Sequence, residues 1–336
     1  MRILTERGPA AAIAALVALV GCASGGGPQP EEILLSRGGF APLDGSAPRV
    51  LVVVAHPDDE LVATGALYVN GARLGGPCDV LTITDGQGGF KYATFAEARY
   101  GLELTREEVG RAQLPAIRRD EQRRSLEVLG ARMLVRLKQT DHRYTRDRFE
   151  VLAEDAGVWD LDAVAASLDV RLADEGYDFV LTLAPTAETH GHHQAATLLA
   201  LRAVERMAVA DRPVVLCCEV EGADEPGVGQ PPEVLGDEPL ARLRDGAGPY
   251  VIDRTRPIGH RGRLSLKSIA NVAIAQHLSQ GTMLGFIGRG DLEEYWIFDV
   301  SPADAADRCE AWFARLQDPA FPEREYGESA GVGASR

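Results

Sequence analysis

Paired-cysteine motifs, basic clusters and long apolar runs are all scarce in this 336-residue chain, and each scarcity removes a class of protein. There are five cysteines with no CxxC spacing among them, which argues against a zinc-knuckle scaffold. Cys78, Cys217, Cys218 and Cys309 read as buried thiols. Cys217 and Cys218 are adjacent on a predicted strand, so they point to opposite faces and do not pair. Basic residues number 35 against 50 acidic ones, for a net charge of -15, and no basic cluster stands out, so nucleic acid is not an expected partner. No internal repeat is visible, and beyond the N-terminal segment no run is long and apolar enough to cross a bilayer.

That N-terminal segment reads as a processing signal. Arg2 and Arg7 supply positive charge and Ala10 to Val20 an apolar stretch too short to span a membrane in the mature protein. It ends Leu19-Val20-Gly21-Cys22, which resembles a bacterial lipobox, with Ala23-Ser24-Gly-Gly-Gly-Pro as a flexible tether behind it. The expected organisation is a lipoprotein signal peptide over 1–21, a tether over 22–46, one domain over 47–320 and a disordered tail over 321–336. The expected location is the bacterial cell envelope, held by a lipid on Cys22.

Within the domain, strand-like runs recur at 50–55, 79–84, 132–137, 179–183 and 214–220. Helical patterns fall between most of them, at 61–72, 118–129, 161–172 and 194–209, and Gly130 follows the second as a C-cap. The alternation predicts an α/β fold, a three-layer sandwich with a mostly parallel sheet. Further on, a helix over 264–278, a strand over 295–300 and a helix over 302–316 are expected. Two stretches break the rhythm. Residues 86–113 read as a lid or specificity insertion, and 221–248 as an exposed excursion.

His56-Pro57-Asp58-Asp59-Glu60 follows the first strand directly, so an imidazole and two carboxylates stand where a strand ends and a helix begins. In open α/β sheets ligands bind there. Helix capping by the acids is the plainer alternative for the motif taken alone. The strand at 179–183 runs into His190-Gly191-His192-His193, three of the seven histidines in the chain. His190 and His193 are three apart and can point the same way at a helix start, where the dipole keeps imidazole neutral. His56, Asp59 and His193 then form a three-ligand set for zinc that leaves a position for water. Asp58 is the carboxylate left over as general base. His192 is expected to point away, towards packing or the rim.

These motifs, with Thr84-Asp85-Gly86, Arg118-Arg-Asp-Glu121, Lys267 and His277 followed by Ser279-Gln280, resemble the LmbE-like or PIG-L family. Its members are zinc-dependent de-N-acetylases of N-acetylglucosaminyl compounds and related amides, and the resemblance runs over about residues 49–300. It implies a Rossmann-like fold with the site at the carboxyl ends of the strands. It implies His56, Asp59 and His193 as zinc ligands and Asp58 as base. His190 would stand near the developing oxyanion or leaving amine, and Arg118 would contact substrate. For Arg118 a surface ion pair with Glu121 is the alternative. Asp85 either supports the metal site or shapes its turn, and His277 reads better as a packed helix residue. Where the family commonly has His-Pro-Asp-His, this chain has His190-Gly191-His192-His193, so the acid that orients the first histidine is missing. Asp141 is a candidate replacement from a neighbouring strand end.

The function expected is removal of an acetyl group from an N-acetylated amino sugar or glycoconjugate. The alternatives are an amidase acting on another conjugate with the same zinc chemistry, and a non-catalytic carbohydrate-binding lipoprotein. An unligated Asp58 beside an intact ligand set speaks against the last.

Overall fold

The structure, a computed structural model, describes residues 31–35, 47–153, 155–258 and 260–317. The expected signal peptide over 1–21, Cys22 and the expected tail over 321–336 lie outside those residues.

Five largely apolar runs form the centre of the sheet: β2 (Val50–Val54), β3 (Cys78–Thr84), β4 (Met133–Gln139), β5 (Phe179–Leu183) and β6 (Val214–Glu221). They pair in parallel in the spatial order β4-β3-β2-β5-β6. Antiparallel strands extend both edges. β1 (Glu32–Leu35) lies on β4, β10 (Leu292–Ile297) on β6, and β7 (Tyr250–Asp253) on the outer side of β10. A separate two-residue ribbon joins β8 (Pro257–Ile258) to β9 (Leu264–Ser265). Among the described residues the α-helices are α1 (Thr64–Leu67), continued by a π-helical stretch over Tyr68–Arg73, α2 (Thr94–Tyr100), α3 (Glu107–Leu129), α4 (Phe149–Leu152), α5 (Leu161–Glu175), α6 (Gly191–Arg206), α7 (Leu266–Ile274), α8 (Gly281–Leu284) and α9 (Ala305–Leu316).

The period-two geometry of β2 sorts its side chains between two cores. Leu51, Val53 and Ala55 pack with α5 and α6 on one face, while Val50, Val52 and Val54 pack with α1, α3, α7 and α9 on the other. Burial on both faces is the reason these strands read as unbroken apolar runs rather than alternating ones. The result is the α/β fold with a mostly parallel, mixed sheet that the alternation predicts. Chain order runs from β2 outward to β4, then returns to the other side of β2 with β5. The direction therefore reverses between β2 and β5, and the loops at their carboxyl ends splay apart into a crevice.

Several boundaries differ from the expectations. Glu32–Leu35, inside the stretch read as tether, is an edge strand. Ile33 and Leu34 pair with Val135 and Leu134, and Glu32 bonds the buried Arg136 at 2.7 Å, so a charge that reads as solvated is spent on an internal partner. α3 starts at Glu107 rather than at residue 118, with Pro115 accommodated inside the helix. The stretch 86–113 therefore includes the first turns of α3. It also carries a 3-10 turn at Gln87–Tyr92 and α2, sealed by a small core of Phe90, Ala93, Ala96, Leu104 and Leu114. β10 lies at 292–297 rather than 295–300 because the buried Glu293 and Glu294 disguise its start. Glu293 is fully buried and accepts from Arg254, the Gly65 and Ala66 N–H groups and the Tyr295 hydroxyl.

Candidate metal centre

β2 stops short of Pro57, and the chain bends through His56-Pro57-Asp58 into a 3-10 turn at Asp59–Ala63. Asp58 has φ 130°, a region that L-residues occupy only when surroundings enforce it. The enforcement is visible on both sides. Its N–H donates to Glu60 Oε2 at 3.0 Å, and Arg118 Nη2 lies 3.1 Å from its Oδ1. Arg118 also donates to the carbonyls of Pro57 and Gly86. Gly86 permits this approach, since a Cβ there would sit 2.3 Å from Arg118 Nη1 and the backbone has φ 67°. Glu60, fully buried, is held by His277 Nε2 at 2.9 Å and Gln122 Nε2 at 3.0 Å.

Across the crevice, the loop after β5 leads into α6 with His190 as N-cap, its Nδ1 accepting the His192 N–H at 2.9 Å. The first turn of α6 directs His193 towards His56. His56 Nδ1 is 3.1 Å from His193 Nε2 and 3.3 Å from Asp59 Oδ2, and His193 Nε2 is 3.2 Å from Asp59 Oδ1. An ion bound at about 2.0–2.2 Å keeps tetrahedral donors roughly 3.3–3.6 Å apart. The three donors thus stand at close to the edges of one coordination tetrahedron, and a metal fits them with little rearrangement. His193 Nδ1 is within hydrogen-bond distance of Thr189 Oγ1 at 3.0 Å, which leaves Nε2 to face the other two donors. The Asp59 carboxylate is aimed by the His56 N–H at 2.7 Å.

Charge in this crevice is strongly biased. Burial opposes the imidazolium of His56, but Asp141 and Asp59 outweigh it and hold its pKa up to about 10. Burial would raise Asp59, yet His193 and His56 draw it well below the ordinary carboxylate range. Asp58 goes the other way. Its burial lifts the carboxyl to about 6 against the pull of Arg118. Burial and the charge of His56 lower His190 to about 3, so its ring is neutral. With Nδ1 of that ring accepting, the single N–H lies at Nε2.

His192 does not point away. It is fully buried, its Nδ1 3.2 Å from His56 Nε2, because the first turn of α6 carries its ring inward beneath His56. Asp141 joins them from the loop after β4, with Oδ1 3.7 Å from His56 Nε2 and 3.5 Å from His192 Nδ1. His56, Asp141, His190 and His192 make a second group whose donor atoms lie within 4.8 Å of one another. Arg118 is neither a surface ion pair with Glu121 nor presented to solvent. It is 2% exposed and its terminal nitrogens are taken by Asp58 and two carbonyls, while Glu121 accepts from Ser279 and Tyr100. Asp85 pairs with Arg136, Lys267 with Asp291, and His277 with Glu60, so none of the three reaches the donor set. Sequence reasoning missed Glu60 as a support of Asp58 and Gln122 as a support of Glu60, and nothing local to Gln122 signals a partner 62 positions away.

The fold and this site define an α/β protein with a buried His/Asp cluster able to bind a metal at its topological switch point. Residues 51–204 match the family described as PIG-L, GlcNAc-PI de-N-acetylase. That segment of the chain belongs to this PIG-L or LmbE-like family of de-N-acetylases. It is similar to a Bacillus cereus protein named probable N-acetyl-alpha-D-glucosaminyl L-malate deacetylase 2, 27% identical over 183 residues, which cover 54% of this chain and 72% of that one. Among solved structures, the N,N'-diacetylchitobiose deacetylase of Pyrococcus horikoshii is 18% identical, with a TM-score of 0.47 over 76% of this chain and 85% of that chain. The A40926 pseudoaglycone deacetylase Dbv21 is 20% identical, with a TM-score of 0.47 over 77% and 100%.

Proposed function

We propose that the protein is a zinc-dependent hydrolase that removes the acetyl group from an N-acetylated amino sugar or glycoconjugate. The observation that carries this is the convergence of His56 Nδ1, Asp59 and His193 Nε2 beside a carboxylate, Asp58, that takes no part in the donor set. The name of the Bacillus cereus relative supports the amino-sugar part of the reading.

In this reading His56, Asp59 and His193 hold the metal, which when bound lowers the pKa of water and polarises the substrate carbonyl. Asp58 accepts the proton of the attacking water and returns it to the departing amine. Its buried carboxyl, lifted to about 6, lies close to working pH, where a general base is most effective. Arg118 and Glu60 keep that carboxylate on station through the strained backbone at Asp58. His190, neutral with its proton on Nε2, donates to the oxygen where negative charge develops.

Adjacent carboxylates with different duties give the test. Asp59→Ala should lose both metal and activity. Asp58→Asn should keep the metal, measured by elemental analysis, and lose about 10²–10⁴-fold in turnover, because an amide cannot take the proton. Acetate release from a panel of N-acetylated amino sugars is the assay. Near-normal turnover by Asp58→Asn would sink the mechanism, and zinc binding by the parent without hydrolysis of any amide would favour the carbohydrate-binding alternative.

A further inference from the structure

The His56 imidazole has two nitrogens, and the donor set needs the lone pair of one of them, Nδ1. Something must keep the proton on the other. We propose that a row of imidazoles, His56–His192–His142, closed by the Glu150 carboxylate, fixes His56 as its Nε2–H tautomer and so dedicates Nδ1 to the metal. The inference rests on the metal-centre part of the reading above and names His192, His142 and Glu150 as positioning residues.

Each nitrogen of the row faces a ring or carboxylate within it, and Asp141 Oδ1 lies alongside, 3.5 Å from His192 Nδ1. His56 Nε2 faces His192 Nδ1 at 3.2 Å, His192 Nε2 faces His142 Nδ1 at 3.4 Å, and His142 Nε2 faces Glu150 Oε2 at 2.9 Å. Its direction is set from the far end. An ionised carboxylate only accepts, so His142 carries its proton on Nε2 and offers Nδ1 as acceptor. His192 then donates from Nε2 and accepts at Nδ1, and the same logic places the His56 proton on Nε2. Glu150 is well anchored for this duty, accepting from Arg143 Nε at 2.9 Å and Nη2 at 2.8 Å and from the Thr145 hydroxyl at 3.0 Å. Arg143, Thr145 and His142 together hold its carboxyl at about 2, so it stays ionised.

Two details favour this row over simpler arrangements. His192 is fully buried, with the Trp159 ring 5.2 Å from its own, so solvent does not offer His56 another acceptor on that side. His192 Nδ1, at 3.2 Å, is nearer to His56 Nε2 than Asp141 Oδ1 is, at 3.7 Å, and the other Asp141 oxygen is engaged by the Gly88 N–H at 3.0 Å. Asp141 supplies negative charge alongside the row rather than a link in it. A ligating histidine almost always donates its second N–H to a fixed acceptor, most simply a carboxylate. Here two further rings stand between the ligand and the carboxylate, which gives a purpose to the histidine found at position 192 where the resembled motif has an acid.

The test reads the tautomer and the metal affinity, both without substrate. In zinc-loaded parent protein, long-range ¹⁵N correlation spectra of labelled histidines should show His56 protonated at Nε2 and metal-bound at Nδ1. His192→Phe, which removes the acceptor, should weaken zinc binding by about 10–100-fold in chelator competition. His192→Asn, whose amide oxygen can accept, should recover most of that loss, and Glu150→Leu should weaken binding by a smaller factor in the same direction. If His192→Phe fails to fold, the parent spectrum and Glu150→Leu decide. His56 protonated at Nδ1, or unchanged affinity in folded variants, overturns the inference. So does a parent that binds two zinc equivalents and loses one in His192→Phe, since these donors would then hold a second ion. A parent with no zinc affinity overturns both readings, whereas zinc binding with the wrong tautomer overturns this one alone.

Discussion

At the ring of His56, burial and charge pull in opposite directions, and charge wins. With its pKa raised from 6.5 to about 10, the metal-free protein retains the imidazolium through neutral pH. The stability that its pairing with Asp141 and Asp59 provides is fully present below about 6.5 and is lost as pH rises through about 10. A metal ion has to displace that proton, so ligand binding and protonation compete. Between pH 6.5 and 9 the apparent affinity for zinc should rise by roughly tenfold per pH unit, with about one proton released. Calorimetry in buffers of different ionisation enthalpy measures that proton directly, and a pH-independent affinity would show that metal-free His56 does not carry it. Asp58 has the reverse problem. Its raised pKa of about 6 means that the ionised form is disfavoured by the fold, so stability falls as pH climbs through that value. The site keeps a carboxylate that the packing around it would rather have neutral.

At the scale of elements, the turn that closes α3 is where packing leaves least freedom. Gly130 caps the helix at φ 74°, and a Cβ there would fall 2.6 Å from the backbone nitrogen of Ala72. Gly130→Val adds both left-handed strain and a clash with backbone, and should cost roughly 2–4 kcal/mol, read as a lower denaturation midpoint with unchanged slope. Gly176, which caps α5 at φ 61° with open space around it, should tolerate alanine at a cost of about 1 kcal/mol. The cap at Gly130 was legible in the sequence, because a helical pattern ending in glycine has one mechanical meaning. So were the five parallel strands, whose apolar runs no solvent-facing strand would carry, and the carboxyl-end positions of His56 and His193. What escaped sequence reading was every element whose partners are distant. β1 hides behind glutamates that serve Arg136 and Arg171, and the first turns of α3 lie ahead of Pro115. The inward turn of His192 was illegible for the same reason. Its neighbours Asp141 and His142 arrive from another strand end.

For the whole molecule, the reversal of strand order between β2 and β5 explains why one crevice collects groups from four loops. His56 and Asp58 come from the β2 end, Gly86 from the β3 end, Asp141 and His142 from the β4 end, and His190 to His193 from the β5 end. Among the described residues no helix is long and apolar enough to cross a membrane. An attachment to the envelope through Cys22 is our proposal from the N-terminal sequence alone. Cys22→Ser should move the protein from the membrane fraction to the soluble one in a bacterial host, and unchanged fractionation with an intact N-terminus by mass spectrometry would end that proposal.

The adjacent thiols Cys217 and Cys218 on β6 lie in different cores, one beneath α5 and α6 and the other beneath the helices of the opposite layer. Both are buried and free, as are Cys78 and Cys309. Burial raises all four thiols, so in the native state they should be inert towards an aqueous alkylating reagent. That makes neighbouring atoms of one strand into two clocks. Timed alkylation during mild denaturation, followed by peptide mapping, would mark Cys217 and Cys218 at the same rate if both helical layers leave the sheet together. Different rates would show one layer peeling off while the other still covers its face.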